Sequence, residues 1–292
     1  MYVALLTPLH DNRTLNASVA QKLLLHLLAK GLDGAYVAGT TGEGMLLPFA
    51  VRRALVEAAT EVLPAGKRLL VHVGTPQVGD ALALAEHAAR CGAHAISSLP
   101  PAGGTADVMS YYRELAANSP LPLILYYFPK VAPSAFSCPD DLFQVCELPN
   151  VVGIKFTDTN LYLLNRLSKR GVLVFNGYDE MLAAGLLMGA KGGIGTTYNL
   201  MAEGYLQIYA AALRGDWQMA HRVQSQVNDV IEVLFRYPFF PAVREAIKHI
   251  GFDCGPLMSG ETMANESDRD RFLAELMAYI PRNPSPSINS AR

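Results

Sequence analysis

Cysteine is scarce in this sequence of 292 residues, and the four present are Cys91, Cys138, Cys146 and Cys254. They form no CxxC pair and no evident Cys/His cluster, so neither a zinc site nor a disulfide scaffold is indicated. Free thiols suit a reducing cytoplasm. An excess of one charge is also missing: 24 lysines and arginines face 26 aspartates and glutamates, a formal net charge of −2. That leaves no electrostatic footprint for nucleic acid or for an anionic membrane. The expected partner is a small molecule. No apolar run is long, and Leu121 to Pro129 is about half of what a membrane span needs. The opening Met1-Tyr2-Val3-Ala4-Leu5-Leu6 has no basic leader and meets Thr7-Pro8 at once, unlike a signal peptide. A soluble, cytoplasmic protein is the expectation.

What is present is material for a large core, since 51% of residues are apolar and only 17% are charged. Short apolar runs alternate with amphipathic stretches. The strand candidates are Val3–Leu6, Gly34–Ala38, Leu69–Val73, Ala95–Ser98, Leu123–Tyr126, Val152–Lys155, Leu173–Phe175 and Gly193–Gly195. Helix-like segments between them include Val19–Lys30, Ala50–Leu63, Gly79–Cys91, Met181–Met188 and Gly204–Leu213. Strands alternating with helices argue for βαβ units and a parallel sheet. Eight units are the count of an α/β TIM (β/α)8 barrel, and the length suits one. A doubly wound sheet is the competitor, but no GxGxxG follows an early strand. The division expected is a barrel over 1–213 and a C-terminal helical extension over 214–280, with helices near Trp217–Phe235, Ala242–Ile250 and Arg269–Ile280. The Pro/Ser/Asn-rich stretch 281–292 is expected to be a disordered tail.

In such a barrel the active site lies where strands end, and there the polar residues gather. Strand two runs into Gly39-Thr40-Thr41-Gly42-Glu43, strand five into Tyr126-Tyr127-Phe128-Pro129, and strand six into Lys155-Phe156-Thr157. Strand seven runs into Asn176-Gly177-Tyr178-Asp179-Glu180 and strand eight into Gly195-Thr196-Thr197-Tyr198-Asn199. Val151 to Asp158 is the most telling run, because a buried strand delivers a single lysine. Lys155 either snorkels out at the strand end or sits desolvated, which disfavours its charged form. A neutral lysine forms a Schiff base with a ketone. Tyr126, on the neighbouring strand, is either core packing or a proton carrier for carbinolamine and imine. The glycine-flanked Thr40-Thr41 loop is a turn or a cradle of N–H and hydroxyl groups for a carboxylate. Asp179 and Glu180 either complement a helix dipole or accept hydrogen bonds from substrate hydroxyls. None of the seven histidines is given a role.

Taken together, GTTGE at Gly39–Glu43, YYFP at Tyr126–Pro129 and GIKFTD at Gly153–Asp158 resemble the pyruvate-dependent class I aldolase family of dihydrodipicolinate synthase and N-acetylneuraminate lyase. The resemblance runs from Ala4 to about Asn199. It implies a TIM barrel with a helical extension, a homotetramer, pyruvate held as a Schiff base, and no metal or organic cofactor. NGYDE at Asn176–Glu180 and GGIGTTYN at Gly192–Asn199 are most similar to the sialic acid lyase branch. By that likeness Lys155 is the Schiff-base lysine, Tyr126 the relay tyrosine, and Thr40 and Thr41 the pyruvyl carboxylate site. Thr157, Gly177, Asp179, Glu180 and Thr196 match positions that contact the hydroxylated tail. The synthase branch expects an arginine soon after the YYFP-like motif, whereas Lys130-Val131-Ala132 stands here. Three departures accompany the likeness. Pro100–Thr105 lacks the aromatic pair many members carry after strand four, Thr196 stands in place of serine, and the chain begins almost inside the first strand.

The chemistry implied is reversible cleavage of a 2-keto-3-deoxy sugar acid, N-acetylneuraminate foremost, into pyruvate and an aldehyde sugar. A 2-keto-3-deoxygluconate-type aldolase and a sugar-acid dehydratase would use the same iminium. A non-catalytic keto-acid-binding barrel is the reading outside enzymology, and it needs neither Lys155 nor Tyr126.

Overall fold

A computed structural model describes residues 1–101 and 104–280. The expected tail at 281–292, and Ala102 and Gly103 of the Pro100–Thr105 loop, lie outside the described residues. Eight parallel strands close into a barrel in chain order: β1 (Tyr2–Ala4), β2 (Gly34–Val37), β3 (Arg68–His72), β4 (Ala95–Ser98), β5 (Leu123–Tyr127), β6 (Val151–Phe156), β7 (Val174–Asn176) and β8 (Gly192–Gly195). Around them run α1 (Ala17–Ala29), α2 (Phe49–Glu61), α3 (Val78–Arg90), α4 (Thr105–Asn118), α5 (Pro139–Cys146), α6 (Leu161–Lys169), α7 (Leu182–Leu187) and α8 (Tyr198–Leu213). Three more helices follow: α9 (Trp217–Phe235), α10 (Phe239–His249) and α11 (Glu266–Met277). The expected α/β barrel with a helical C-terminal part is therefore the fold. Among the described residues no helix is long and apolar enough to cross a membrane.

The two-residue period of a strand sorts each run into two cores. Outward residues such as Ala35, Val37, Leu69, Val71, Leu125, Ile154 and Phe156 join the helices in one buried cluster. Inward residues Ala4, Tyr36, Leu70, Ala95, Ile124, Tyr126, Phe175 and Ile194 fill the barrel itself. With both faces buried, the strands read as continuous apolar runs, as parallel sheets do. Lys155 follows the same alternation, lying between outward Ile154 and Phe156. It is directed inward and is only 4% exposed.

Two helices depart from expectation. The segment expected at Met181–Met188 starts as a single 3-10 turn at Asp179–Met181 before α7 begins. α8 starts at Tyr198, ahead of the expected Gly204, and passes through a non-helical Met201 (φ −127°, ψ 38°). The buried first turn, with Tyr198, Asn199 and Leu200 all inside, has no polar face to disclose a helical period.

Candidate active site

The β5–β6 ladder pairs Tyr126 with Lys155 and the β6–β7 ladder pairs Lys155 with Phe175. Lysine and tyrosine therefore reach the barrel mouth side by side, as the strand order implied. Lys155 Nζ lies 4.2 Å from the ring centroid of Tyr126 and 4.8 Å from that of Tyr36. Its surroundings are ring faces, a setting that excludes bulk water from an amine. The Tyr126 hydroxyl in turn stands 3.3 Å from Thr40 Oγ1.

Beneath the lysine, sequence reasoning missed a polar floor. Tyr36, His72 and Tyr126 meet edge to face with centroids 6.2–6.3 Å apart. The Tyr36 hydroxyl donates to Ser97 Oγ at 3.2 Å. His72 Nε2 accepts the Leu99 N–H at 3.0 Å, which places the imidazole proton on Nδ1. Burial first, then the charges of Arg52 and Lys155, hold the His72 imidazole well below its ordinary pKa. Arg52 is itself buried and donates to the carbonyls of His72 (2.7 Å) and Gly74 (3.1 Å), fixing the end of β3. The signal available in the sequence was a histidine interrupting the apolar run Leu69–Val73.

The GTTGE loop is held tightly. Ala38 and Glu43 bracket it in the left-handed region, with φ of 56° and 55°, a conformation unfavourable for residues with a Cβ. Thr7 Oγ1 donates to the Gly42 carbonyl at 2.8 Å. The Glu43 carboxylate, also unassigned from sequence, reaches the segment after α10. It accepts the N–H groups of Met258 (2.8 Å) and Ser259 (2.9 Å) and lies 3.5 Å from the buried Arg244 guanidinium. Arg244 donates onward to the carbonyls of Thr7, Cys254 and Gly255. The C-terminal helices are thus wired to the loop that carries Thr40 and Thr41. Thr41 Oγ1 lies 2.6 Å from Thr196 Oγ1, joining the loops after β2 and β8 across β1.

On the opposite rim, Thr157 and Gly177 are adjacent. A Cβ at Gly177 would fall 1.9 Å from Thr157 Oγ1, so the close approach requires glycine. Thr157 Oγ1 is buried without a partner. The two neighbouring acids separate. Asp179 turns inward, where its Oδ2 accepts both the N–H and the hydroxyl of Thr197 at 2.7 Å. Its Oδ1 is buried and unpartnered, pressed against β8 where a Cβ at Gly195 would come within 1.9 Å. Burial raises the Asp179 pKa to about 6, against the lowering effect of the Thr197 hydrogen bonds. Glu180 remains half-buried, its pKa also raised by burial, while Lys130 pulls it back. Phe128 stacks on Tyr126 and meets Tyr178 edge-on, giving this rim an apolar wall.

All nine residues singled out from sequence therefore lie on strand ends or βα loops at one mouth of the barrel. One expectation is corrected elsewhere. The cysteines and histidines do form a mixed cluster, because Glu57, His87 and Cys91 come together on the outer helices. The i,i+4 spacing of His87 and Cys91 was its signal.

Comparison with known proteins agrees with this geometry. The N-acetylneuraminate lyase of Rhizobium meliloti (strain 1021) is 36% identical over 273 residues, covering 92% of this chain and 91% of that protein. The N-acetylneuraminate lyase of Escherichia coli (strain SMS-3-5 / SECEC) is 31% identical over 260 residues, 87% of each. Among solved structures, the Clostridium difficile protein CdNal in complex with mannosamine superposes with a TM-score of 0.90 at 25% identity, covering 96% and 98% of the two chains. The Proteus mirabilis N-acetylneuraminate lyase gives a TM-score of 0.86 at 29% identity, covering 95% and 97%. The model of the dihydrodipicolinate synthetase family matches residues 1–278, and the chain belongs to that family.

Proposed function

We propose that this protein is a Schiff-base-forming carbon–carbon lyase that cleaves N-acetylneuraminate to pyruvate and N-acetylmannosamine. The observation that carries the proposal is Lys155, directed into a closed barrel against the rings of Tyr36 and Tyr126 and paired in register with Tyr126. Relatives at 31–36% identity named N-acetylneuraminate lyase support the substrate.

In the cleavage direction Lys155 Nζ attacks C2 of the open-chain keto acid, giving a carbinolamine. Tyr126 carries a proton to the departing hydroxyl, and water leaves to form the iminium. The Thr40-Thr41 loop holds the C1 carboxylate with hydroxyls and backbone N–H groups. The iminium accepts the electron pair of the C3–C4 bond as that bond breaks, while the C4 hydroxyl loses its proton and becomes the aldehyde. Tyr126 or the substrate carboxylate takes that proton. The aldehyde sugar departs, the enamine gains a proton at C3, and water adds to the iminium to free pyruvate and Lys155. Preorganised hydroxyls and the fixed amine supply orientation and electrostatic stabilisation.

Thr157, Gly177, Asp179, Glu180 and Thr196 are assigned to the hydroxylated tail. Thr157 Oγ1 and Asp179 Oδ1 support this, because two buried polar atoms without partners invite hydroxyls that complete them. The form we propose works in the cytoplasm as a homotetramer and uses only its own lysine, with no metal or organic cofactor in the chemistry.

Borohydride trapping tests the reading. Incubated with pyruvate and borohydride, the protein should gain a pyruvyl-sized mass that Lys155→Ala does not gain. Cleavage of N-acetylneuraminate should yield pyruvate in a coupled lactate dehydrogenase assay. Absence of the mass gain from the unmodified protein would remove the Schiff base, and the lyase with it.

A further inference from the structure

Away from the barrel mouth, α2 and α3 bring three different metal-ligating side chains together. Glu57 comes from α2, His87 from the last turn of α3, and Cys91 is the residue that ends α3. His87 Nε2 lies 2.8 Å from Glu57 Oε1 and 3.7 Å from Cys91 Sγ. The three donor atoms all fall within 4.8 Å of one another. Bond lengths of ~2.3 Å to sulfur and ~2.0–2.2 Å to nitrogen and oxygen put the edges of a tetrahedral zinc site at roughly 3.2–3.6 Å. The His87 edges need adjustments of some tenths of an ångström, and the Glu57–Cys91 edge, at up to 4.8 Å, closes by about an ångström through rotation of the exposed Glu57 side chain.

We propose that Glu57, His87 and Cys91 form a zinc-class metal site that clamps α2 to α3, with solvent water in the fourth position. The donor set selects the ion: one thiolate, one imidazole and one carboxylate suit zinc rather than magnesium or calcium, which take oxygen alone. The thiol one helical turn beyond His87 lies within hydrogen-bond distance of both its ring nitrogens, 3.9 Å from Nδ1 and 3.7 Å from Nε2, and supplies the third donor of the cation site. His87 is well placed as the central ligand, its side chain only 12% exposed against 61% for Glu57.

The site has consequences for the fold and none for the proposed chemistry. α2 follows the strained Thr40–Thr41 loop and carries Arg52, whose guanidinium holds the end of β3. Bracing α2 against α3 therefore stiffens the scaffold of the barrel mouth without touching Lys155. Binding also releases a proton, because the metal takes Cys91 as the thiolate.

The test uses metal-stripped full-length protein titrated with Co²⁺ and then Zn²⁺. One equivalent of Co²⁺ per chain should produce a thiolate-to-cobalt charge-transfer band in the near ultraviolet, and Zn²⁺ should bleach it. Zn²⁺ should raise the thermal midpoint of the unmodified protein and leave that of Cys91→Ala unmoved. His87→Gln should weaken Co²⁺ binding at least tenfold, with circular dichroism confirming that both variants fold. No charge-transfer band in the unmodified protein overturns the proposal. So does a band that survives Cys91→Ala, since it would belong to another thiol such as exposed Cys138.

Discussion

Replacing Arg244 with methionine should damage both the fold and the grip on the keto acid, and the two effects can be read separately. Methionine keeps much of the side-chain volume but removes every donor. Three carbonyls, of Thr7, Cys254 and Gly255, lose their guanidinium partner. Glu43, 8% exposed, keeps its two backbone N–H groups and loses its only cation within ion-pair distance among the described residues. Removing one partner of a buried pair costs about 3–5 kcal/mol. For a chain of this size that lowers the thermal midpoint by on the order of 10 °C, which calorimetry measures directly. Glu43 also anchors the strained end of the Thr40–Thr41 loop, so the carboxylate cradle should loosen. If about 1.4 kcal/mol of binding is lost, KM rises roughly tenfold, while kcat changes less because Lys155 and Tyr126 sit on strands that Arg244 does not touch. Glu43→Gln and the double variant complete a thermodynamic cycle. A coupling below about 0.5 kcal/mol would mean the two side chains act independently. A lower midpoint with KM unmoved would refute the link between the C-terminal helices and the site.

Asp179→Asn tests the buried acid. Its folded pKa of about 6 lies above the free carboxyl value of ~3.9, so folding favours the protonated form. The associated stability is fully present below about pH 4 and is lost as pH rises through about 6, by on the order of 3 kcal/mol. Urea unfolding at pH 4.5 and 7.5 should show about two thirds of that loss in the unmodified protein and its removal in Asp179→Asn; identical pH profiles would contradict the assignment. Gly177→Ala forces a methyl group against Thr157 Oγ1, and overpacking of this kind costs about 1–3 kcal/mol. KM for the sugar acid should rise while borohydride trapping of pyruvate persists. Adding Thr157→Ala should recover part of the thermal midpoint, since the Thr157 Cβ at 2.9 Å and the Phe156 carbonyl at 3.0 Å still crowd the new methyl group, but not the sugar affinity, and recovery of the affinity would exclude Thr157 from the tail-binding wall.

The barrel was legible because its strands are buried on both faces and follow one another around the ring. Apolar runs then disclose the strands, and chain order discloses the neighbours. That is why Tyr126 and Lys155 could be placed side by side before any register was known. Pairings between distant segments leave no such local trace. Nothing near Glu43 points to Arg244, and nothing near Glu57 points to His87 and Cys91 until α2 and α3 are packed together.

Asp179 and Glu180 show a subtler limit. As adjacent acids they read as one patch facing the substrate, yet they sit in a 3-10 turn, whose three residues per turn aim successive side chains about 120° apart. Only one can enter the barrel wall. Asp179 does so, held by Thr197 and backed by Gly195. Glu180 stays on the rim within the field of Lys130. The proposed tail site is therefore asymmetric. One acid is buried and held by Thr197, its pKa raised to about 6, and the other is half-buried at the rim.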